Sequence, residues 1–170
     1  MRQACVYVSF VYVPMLLAAL WLTACANAPR FDLSGVDDSL TPTVVVRDLA
    51  KARGHIVHWG GSIIETTNLK DSTRIEVLAY PLDRNGLPDL SDPAQGRFVL
   101  LETGYLESAD YAPGRLVSVV GKLTQAQTAR IGAAQAVFPV VQAEQLHLWP
   151  RDAQRPRTQF HFGLGVGISR

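Results

Sequence analysis

Two ten-residue stretches of this chain share one template. Gly54-x-x-Val57-x-x-x-Gly61-x-Ile63 and Gly114-x-x-Val117-x-x-x-Gly121-x-Leu123 lie 60 residues apart. In an extended strand, side chains alternate between the two faces. Val57, Trp59 and Ile63 therefore share a face, and Gly61 lies among them. A glycine at such a place marks a bend or the close approach of another backbone. Two strands that each open on glycine and bend internally are what a small closed barrel needs, because sharp coiling requires bulges and bare positions.

Three more segments carry strand patterns. Thr73–Tyr80 alternates Ile75, Val77 and Ala79 against Arg74 and Glu76. Gly96–Leu101 is the next, and Phe138–Trp149 contains the last. Pro81–Pro93 is a loop, with Asn85-Gly86 as its turn signal. Five strands in this order predict an all-β fold, a small five-stranded OB-like Greek-key barrel. An open β-sandwich is the alternative. Ahead of the strands, Thr41 can cap a short N-terminal helix with Pro42 in its first turn and Gly54 at its close. The β-branched run Val44-Val45-Val46 opposes that helix.

The amino-terminal part has a different character. Met1-Arg2 is followed by an uncharged stretch from Val6 to Leu22, and then by Leu22-Thr23-Ala24-Cys25. A positive start, an apolar core and small residues at the cut are the marks of an export signal. A spanning helix is the rival. It would sit at the lower length limit, about 17 residues, and Pro14 would interrupt it. Leu-x-Ala-Cys in this setting resembles the bacterial lipobox. That resemblance implies cleavage between Ala24 and Cys25, and a covalent N-acyl diacylglyceryl lipid on Cys25. Residues 1–24 are then the signal peptide and 25–42 a lipidated tether, expected to be a flexible coil of about 17 residues. Residues 43–150 form the barrel domain, and 151–170 an Arg/Pro link and glycine-rich tail.

Removal of residues 1–24 takes away Arg2 and Cys5 and leaves 146 residues with 15 charges of each sign. That length suits one domain with its own core. A lipidated Cys25 leaves no thiol for a disulfide. Balanced charge argues against broad electrostatic attraction to nucleic acid.

A longer constellation runs through the domain. It comprises Val57-His58-Trp59-Gly60-Gly61-Ser62-Ile63, Ile75 to Leu82, Gly96-Arg97-Phe98, Gly114-Arg115, Phe138-Pro139-Val140-Val141 and Leu146-His147-Leu148-Trp149. In this order the motifs resemble the Slp family, starvation-inducible outer-membrane lipoproteins of Gram-negative bacteria. The resemblance covers about Pro42 to Trp149, besides the lipobox. It implies a non-enzymatic envelope protein tied to starvation or stress physiology, and brings no catalytic residues. Ala26, where aspartate would favour inner-membrane retention, implies sorting to the outer membrane, at its periplasmic face. The implied partners are outer-membrane lipid through the anchor, the processing and sorting machinery, and an envelope protein or glycan. Nucleic acid is not among them.

Candidate chemistry is sparse. His55 and His58 are three apart and point to opposite faces of a strand, so they cannot chelate one ion together; His147 would join either only through the fold. With no cysteine set and no His-Glu-x-x-His helix, no metal site is expected. Gly60-Gly61-Ser62 lies within a strand and lacks the sharp turn of a nucleophile elbow. Glu65 and Glu76 read as surface charges rather than a carboxylate pair. Trp59 reads as core. Trp149, which closes the last strand, is the candidate ligand surface, half exposed, for a glycan or other envelope polymer as the alternative function. In the tail, Phe160, Phe162, Leu164, Val166 and Ile168 recur at period two against His161, Gly163, Gly165 and Gly167. This pattern predicts a strand with one apolar and one nearly bare face. It either edges its own barrel or docks elsewhere, on a partner strand or at the membrane. Gly163-Leu164-Gly165-Val166-Gly167 lacks the following helix that a phosphate loop requires.

Overall fold

The computed structural model describes residues 29–131 and 134–154. Five strands close on themselves: β1 (Ile56–Asn68), β2 (Ser72–Ala79), β3 (Arg97–Thr103), β4 (Leu116–Ile131) and β5 (Ala134–Leu148). Their order around the barrel is β1-β2-β3-β5-β4. All contacts between neighbours are antiparallel except β3 with β5, a short parallel seam of Val99–Leu101 on Val140–Gln142. The fold is thus the closed, OB-like all-β barrel expected, and not an open sandwich.

The repeated template has a structural meaning. Gly54 and Gly114 adopt φ of 91° and 82°, a region that favours glycine. Gly61 pairs with Ala79 of β2 and with Val117 of β4, within the short stretch where the two ladders overlap. Gly121 likewise pairs with Val57 and with Ala143. A Cβ at Gly61 would collide with the carbonyl of Leu78, and one at Gly121 with the carbonyl of Gln142. Two residues beyond each glycine the register slips, between Ile63 and Glu65 and between Leu123 and Gln125. The bulge sits at the same offset in both copies, and each strand bends there away from one partner and along the other.

The core follows the alternation. Val57, Trp59 and Ile63 of β1, Ile75 and Val77 of β2, Phe98 and Leu100 of β3, and Val117 and Val119 of β4 are buried together. Each such side chain contributes about 1.5–3 kcal/mol relative to exposure. The Trp59 and Phe98 rings meet edge to face at 5.3 Å, and the Trp59 Nε1 donates to the Leu40 carbonyl at 2.7 Å.

Three features differ from expectation. The single helix is two short ones, α1 (Pro42–Arg47) and α2 (Leu49–Ala52). Asp48 breaks them, because its carboxylate caps the second by accepting from the Lys51 amide. Thr41 does cap α1, and Val45 and Ala52 close the barrel end. Next, β4 and β5 extend as a long two-stranded ribbon over residues 124–131 and 134–137. That segment is rich in Ala, Gln and Thr and carries no apolar alternation from which a strand could be read. Finally, the tether is not free along its length. Val36 bridges Ile56, the Asp37 amide donates to the Ile56 carbonyl, and the Asp32 amide donates to Gln145 Oε1. Phe31–Leu40 is a strap laid along the barrel wall. Arg151–Gln154 forms a turn at the other terminus. The expected strand over Phe160–Ile168 lies outside the described residues.

Replacing Gly61 or Gly121 by valine forces a branched side chain into a neighbouring backbone. Each variant should lose at least about 2 kcal/mol of stability, read as a lower midpoint in urea unfolding. An unchanged midpoint in both would break the link between the template and barrel closure.

Candidate functional site

OB-like barrels bind oligomeric ligands on the β2–β3 face, flanked by the β1–β2 and β4–β5 connections. Here that face is occupied by the protein itself. Glu76 is buried and holds Arg97 Nη1 at 2.9 Å and Arg74 Nη2 at 3.5 Å. The Arg74 Nε donates to Gln127 Oε1 of the ribbon at 3.2 Å. Beside them Val99, Phe138 and Val140 form a second apolar cluster on the outer side of β3 and β5. Two arginines that would meet a polyanion are held by one carboxylate, which offsets half of their charge. Glu76 is thus a buried charge rather than the surface charge expected. Glu65 does lie opposite it in the register, but the oxygens of Glu76 are committed to arginine.

The strap covers a different wall. On the outer faces of β1, β4 and β5 stand His58, Ser118 and His147, with Trp149 just beyond. The Phe31 ring lies 4.6 Å from His58 and 6.3 Å from His147. The His147 ring meets Trp149 edge on at 4.6 Å. Trp149 is 7% exposed, which corrects its assignment as a half-exposed ligand surface. Its indole N–H donates to Ser118 Oγ at 2.8 Å, and the Ser118 hydroxyl donates to the Gly86 carbonyl. Its own carbonyl accepts from Arg115 Nη2 at 2.9 Å. A tryptophan so tethered, beneath the Asn85-Gly86 turn, is a structural anchor.

Between strap and barrel lies a polar cleft of about 330 Å³. Asp38, His58, Tyr80, Asp83 and Gln95 line it. Asp37, at its rim, accepts from Ser39 and meets His55 Nδ1 at 3.2 Å. The Ser39 hydrogen bonds, with a smaller contribution from His55, hold the Asp37 carboxyl below the usual range. Burial lowers the His58 pKa against the opposing pull of Asp38, and burial also lowers that of His147. The His58 Nε2 is buried without a hydrogen-bond partner. His55 meets Asp37, His58 packs against Phe31, and the fold brings His147 toward His58 around Phe31. Among the described residues no three His, Cys, Asp or Glu side chains are grouped to hold a metal.

The family pattern can now be set against this architecture. The sequence model of the Outer membrane lipoprotein Slp family matches residues 22–164. This chain belongs to the Slp family. The lipoprotein YeaY of Escherichia coli K12 is 33% identical over 135 residues, 77% of this chain and 68% of YeaY. The Outer membrane protein Slp of the same organism is 27% identical over 96 residues, 56% of this chain and 50% of its own length. Among solved structures, a small single-stranded DNA-binding protein from Streptomyces coelicolor has a TM-score of 0.38 at 15% identity, over 56% of this chain and 94% of its own. Membership makes this protein an outer membrane lipoprotein of the bacterial envelope. Ala24 and Cys25, the expected cleavage and lipidation residues, lie outside the described residues. Among those described, no helix is long and apolar enough to cross a membrane.

Sequence reasoning missed Phe31, Ser118 and Gln95. Only Phe31 left a signal: it is the one aromatic residue of Ala26–Pro42, which is unusual for a solvated leader.

Two outcomes test this wall. Ser118→Ala strands the Trp149 N–H and the Gly86 carbonyl, each at about 1–3 kcal/mol. Its urea midpoint should fall further than that of Trp149→Phe, which deletes the donor. An equal midpoint for Ser118→Ala and the parent protein would show that the relay contributes nothing. The second outcome concerns pH. His58 and His147 resist protonation in the folded state, so below about pH 6.5 the unfolded chain binds protons that the fold does not. Stability should therefore fall as pH drops below that value. His58→Gln, which cannot titrate, should show a shallower fall in denaturation midpoints between pH 7.5 and 5.5. An identical slope would remove His58 from the account.

Proposed function

We propose that this Slp-family protein is a non-enzymatic lipoprotein held by an acylated Cys25 at the periplasmic face of the outer membrane. It acts through contacts with other envelope components, in starvation or stress physiology. The observation that carries this reading is the strap. Because Phe31–Leu40 is bonded to β1 and β5, Phe31 lies only six residue steps along the chain from Cys25. Fully extended, they reach about 20 Å. A barrel tied so short stays at the bilayer surface and presents its ribbon and loops to whatever lies beside it. Several acyl chains, at about 0.8 kcal/mol per buried CH₂, supply a firm anchor. Ala26 after the cysteine supports outer-membrane sorting.

A second reading has an observation of its own. The cleft with Asp38, Tyr80, Asp83 and Gln95 offers acceptors and one aromatic side chain, the groups that bind polyhydroxylated ligands. A periplasmic glycan or envelope polymer would be its ligand. Crosslinking in intact envelopes followed by affinity recovery separates the readings: bound protein favours the first, bound glycan the second.

The anchor itself is tested at Cys25. Cys25→Ser should abolish acylation and stop normal removal of residues 1–24. Mass spectrometry of the mature amino terminus decides it. An unmodified Cys25 at that terminus, or an intact Met1–Ala24 segment in the mature parent protein, would refute the anchor.

A further inference from the structure

The barrel closes, but the ribbon runs past its rim. β1 accompanies β4 only from Leu116 to Lys122, with final bonds between Leu123 and the His55 carbonyl and Gly54 amide. From Gln125 onward, no strand lies on the β1 side of β4 among the described residues. An uncovered strand edge is a template for another strand, and proteins normally block it with charge or proline. The β5 edge is blocked in that way: Pro139, which has no N–H, stands just before the β3 ladder begins at Val140. The edge of β4 has no such block. Gln125, Ala126, Gln127 and Thr128 are exposed and uncharged.

Beside this open edge lies a mainly apolar groove of about 240 Å³, lined by Val45, Leu49, Ala52, Leu123 and Ala126, with Arg53 and Gln125 its charged and amide members. It is a pocket flanking a strand edge, the arrangement used for strand addition. The chain also holds a segment suited to it. Leu164, Val166 and Ile168 alternate with Gly163, Gly165 and Gly167. One face would fill the groove, and the bare face would let the backbone pass close along the wall.

Chain length allows the two to meet. The Trp149 amide is bonded to the Leu116 carbonyl at 2.9 Å, and Gln154 Nε2 to the Pro88 carbonyl at 2.8 Å. The carboxyl-terminal segment therefore departs near the start of β4. From Leu116 to Gln125 is nine residues along β4, about 30 Å. Nine to ten extended residues beyond Gln154 cover the same distance, which brings Leu164 level with Gln125. We propose that Leu164–Ile168 of the same chain adds to the open edge of β4 as a sixth strand, parallel to it, with its apolar row in the Val45–Leu49–Ala126 groove. The ribbon is thereby capped within one molecule.

Amide hydrogen exchange on the mature lipoprotein tests this, in detergent and in phosphatidylethanolamine–phosphatidylglycerol vesicles. Leu164→Asp combined with Val166→Asp should speed exchange at Gln125–Thr128 about tenfold, with the barrel amides unchanged. Ala126→Arg, which fills the groove from an exposed position, should do the same without lowering the barrel's unfolding midpoint. Unchanged exchange in both variants overturns the proposal. So does protection of Gln125–Thr128 that grows with protein concentration, which would make a second copy the donor. Protection seen in vesicles and lost in detergent also overturns it, and assigns the cover to the bilayer.

Discussion

The backbone crossings at Gly61 and Gly121 are the constraint on which the rest of this fold depends. In a closed five-stranded barrel every strand serves two neighbours, and in β1 and β4 a glycine stands where both ladders run past one position. At Gly61 the ladders to β2 and β4 overlap, and at Gly121 those to β1 and β5. The neighbouring carbonyls of Leu78 and Gln142 occupy the space a side chain would take. The bulges two residues on release the strain of the double pairing by bending each strand. Closure then sets where everything else lies. It turns one row of side chains into a sealed core, and the two halves are joined by the β1–β4 ladder on one side and the short parallel β3–β5 seam on the other. The Gln142 side chain reinforces that seam by donating to the Leu101 carbonyl at 3.1 Å.

Because the inside is full of aliphatic and aromatic side chains, the functional surface of this Slp-family lipoprotein is its outer wall. Two parts of that wall are closed by the protein's own residues. Glu76 pairs with both Arg74 and Arg97 on the β2–β3 face, where burial makes the three charges interdependent. The strap and the Asn85-Gly86 turn cover the wall of β1, β4 and β5, and the Trp149–Ser118–Gly86 relay satisfies the polar groups beneath them. Among the described residues, the cleft at Asp38 and Tyr80 and the β4 edge from Gln125 to Thr128 are not covered in this way.

The strap also changes what a lipidated leader means mechanically. A free coil of the length of Ala26–Pro42 would let the barrel roam above the bilayer. Stitching by Phe31, Asp32, Val36 and Asp37 removes most of that freedom. The aromatic ring between two half-buried imidazoles gives the attachment a dependence on protonation that aliphatic packing would lack.

The sequence by itself determined the strand set, the two special glycine positions, the capping of the first helix and the family. These are local matters: alternation places side chains on faces, glycine marks crowded backbone, and Thr41 meets its Val44 amide three residues away. The tertiary structure alone decided the fate of Trp149, Glu76, Phe31 and the ribbon. Trp149 is buried because Ser118, 31 residues away, offers its hydroxyl, and Glu76 because Arg97 comes from another strand. The Ala- and Gln-rich ribbon is extended because β4 and β5 register against each other, not because its residues prefer it. Each of these outcomes rests on a partner distant in sequence, and a pattern read along one segment cannot contain its partner.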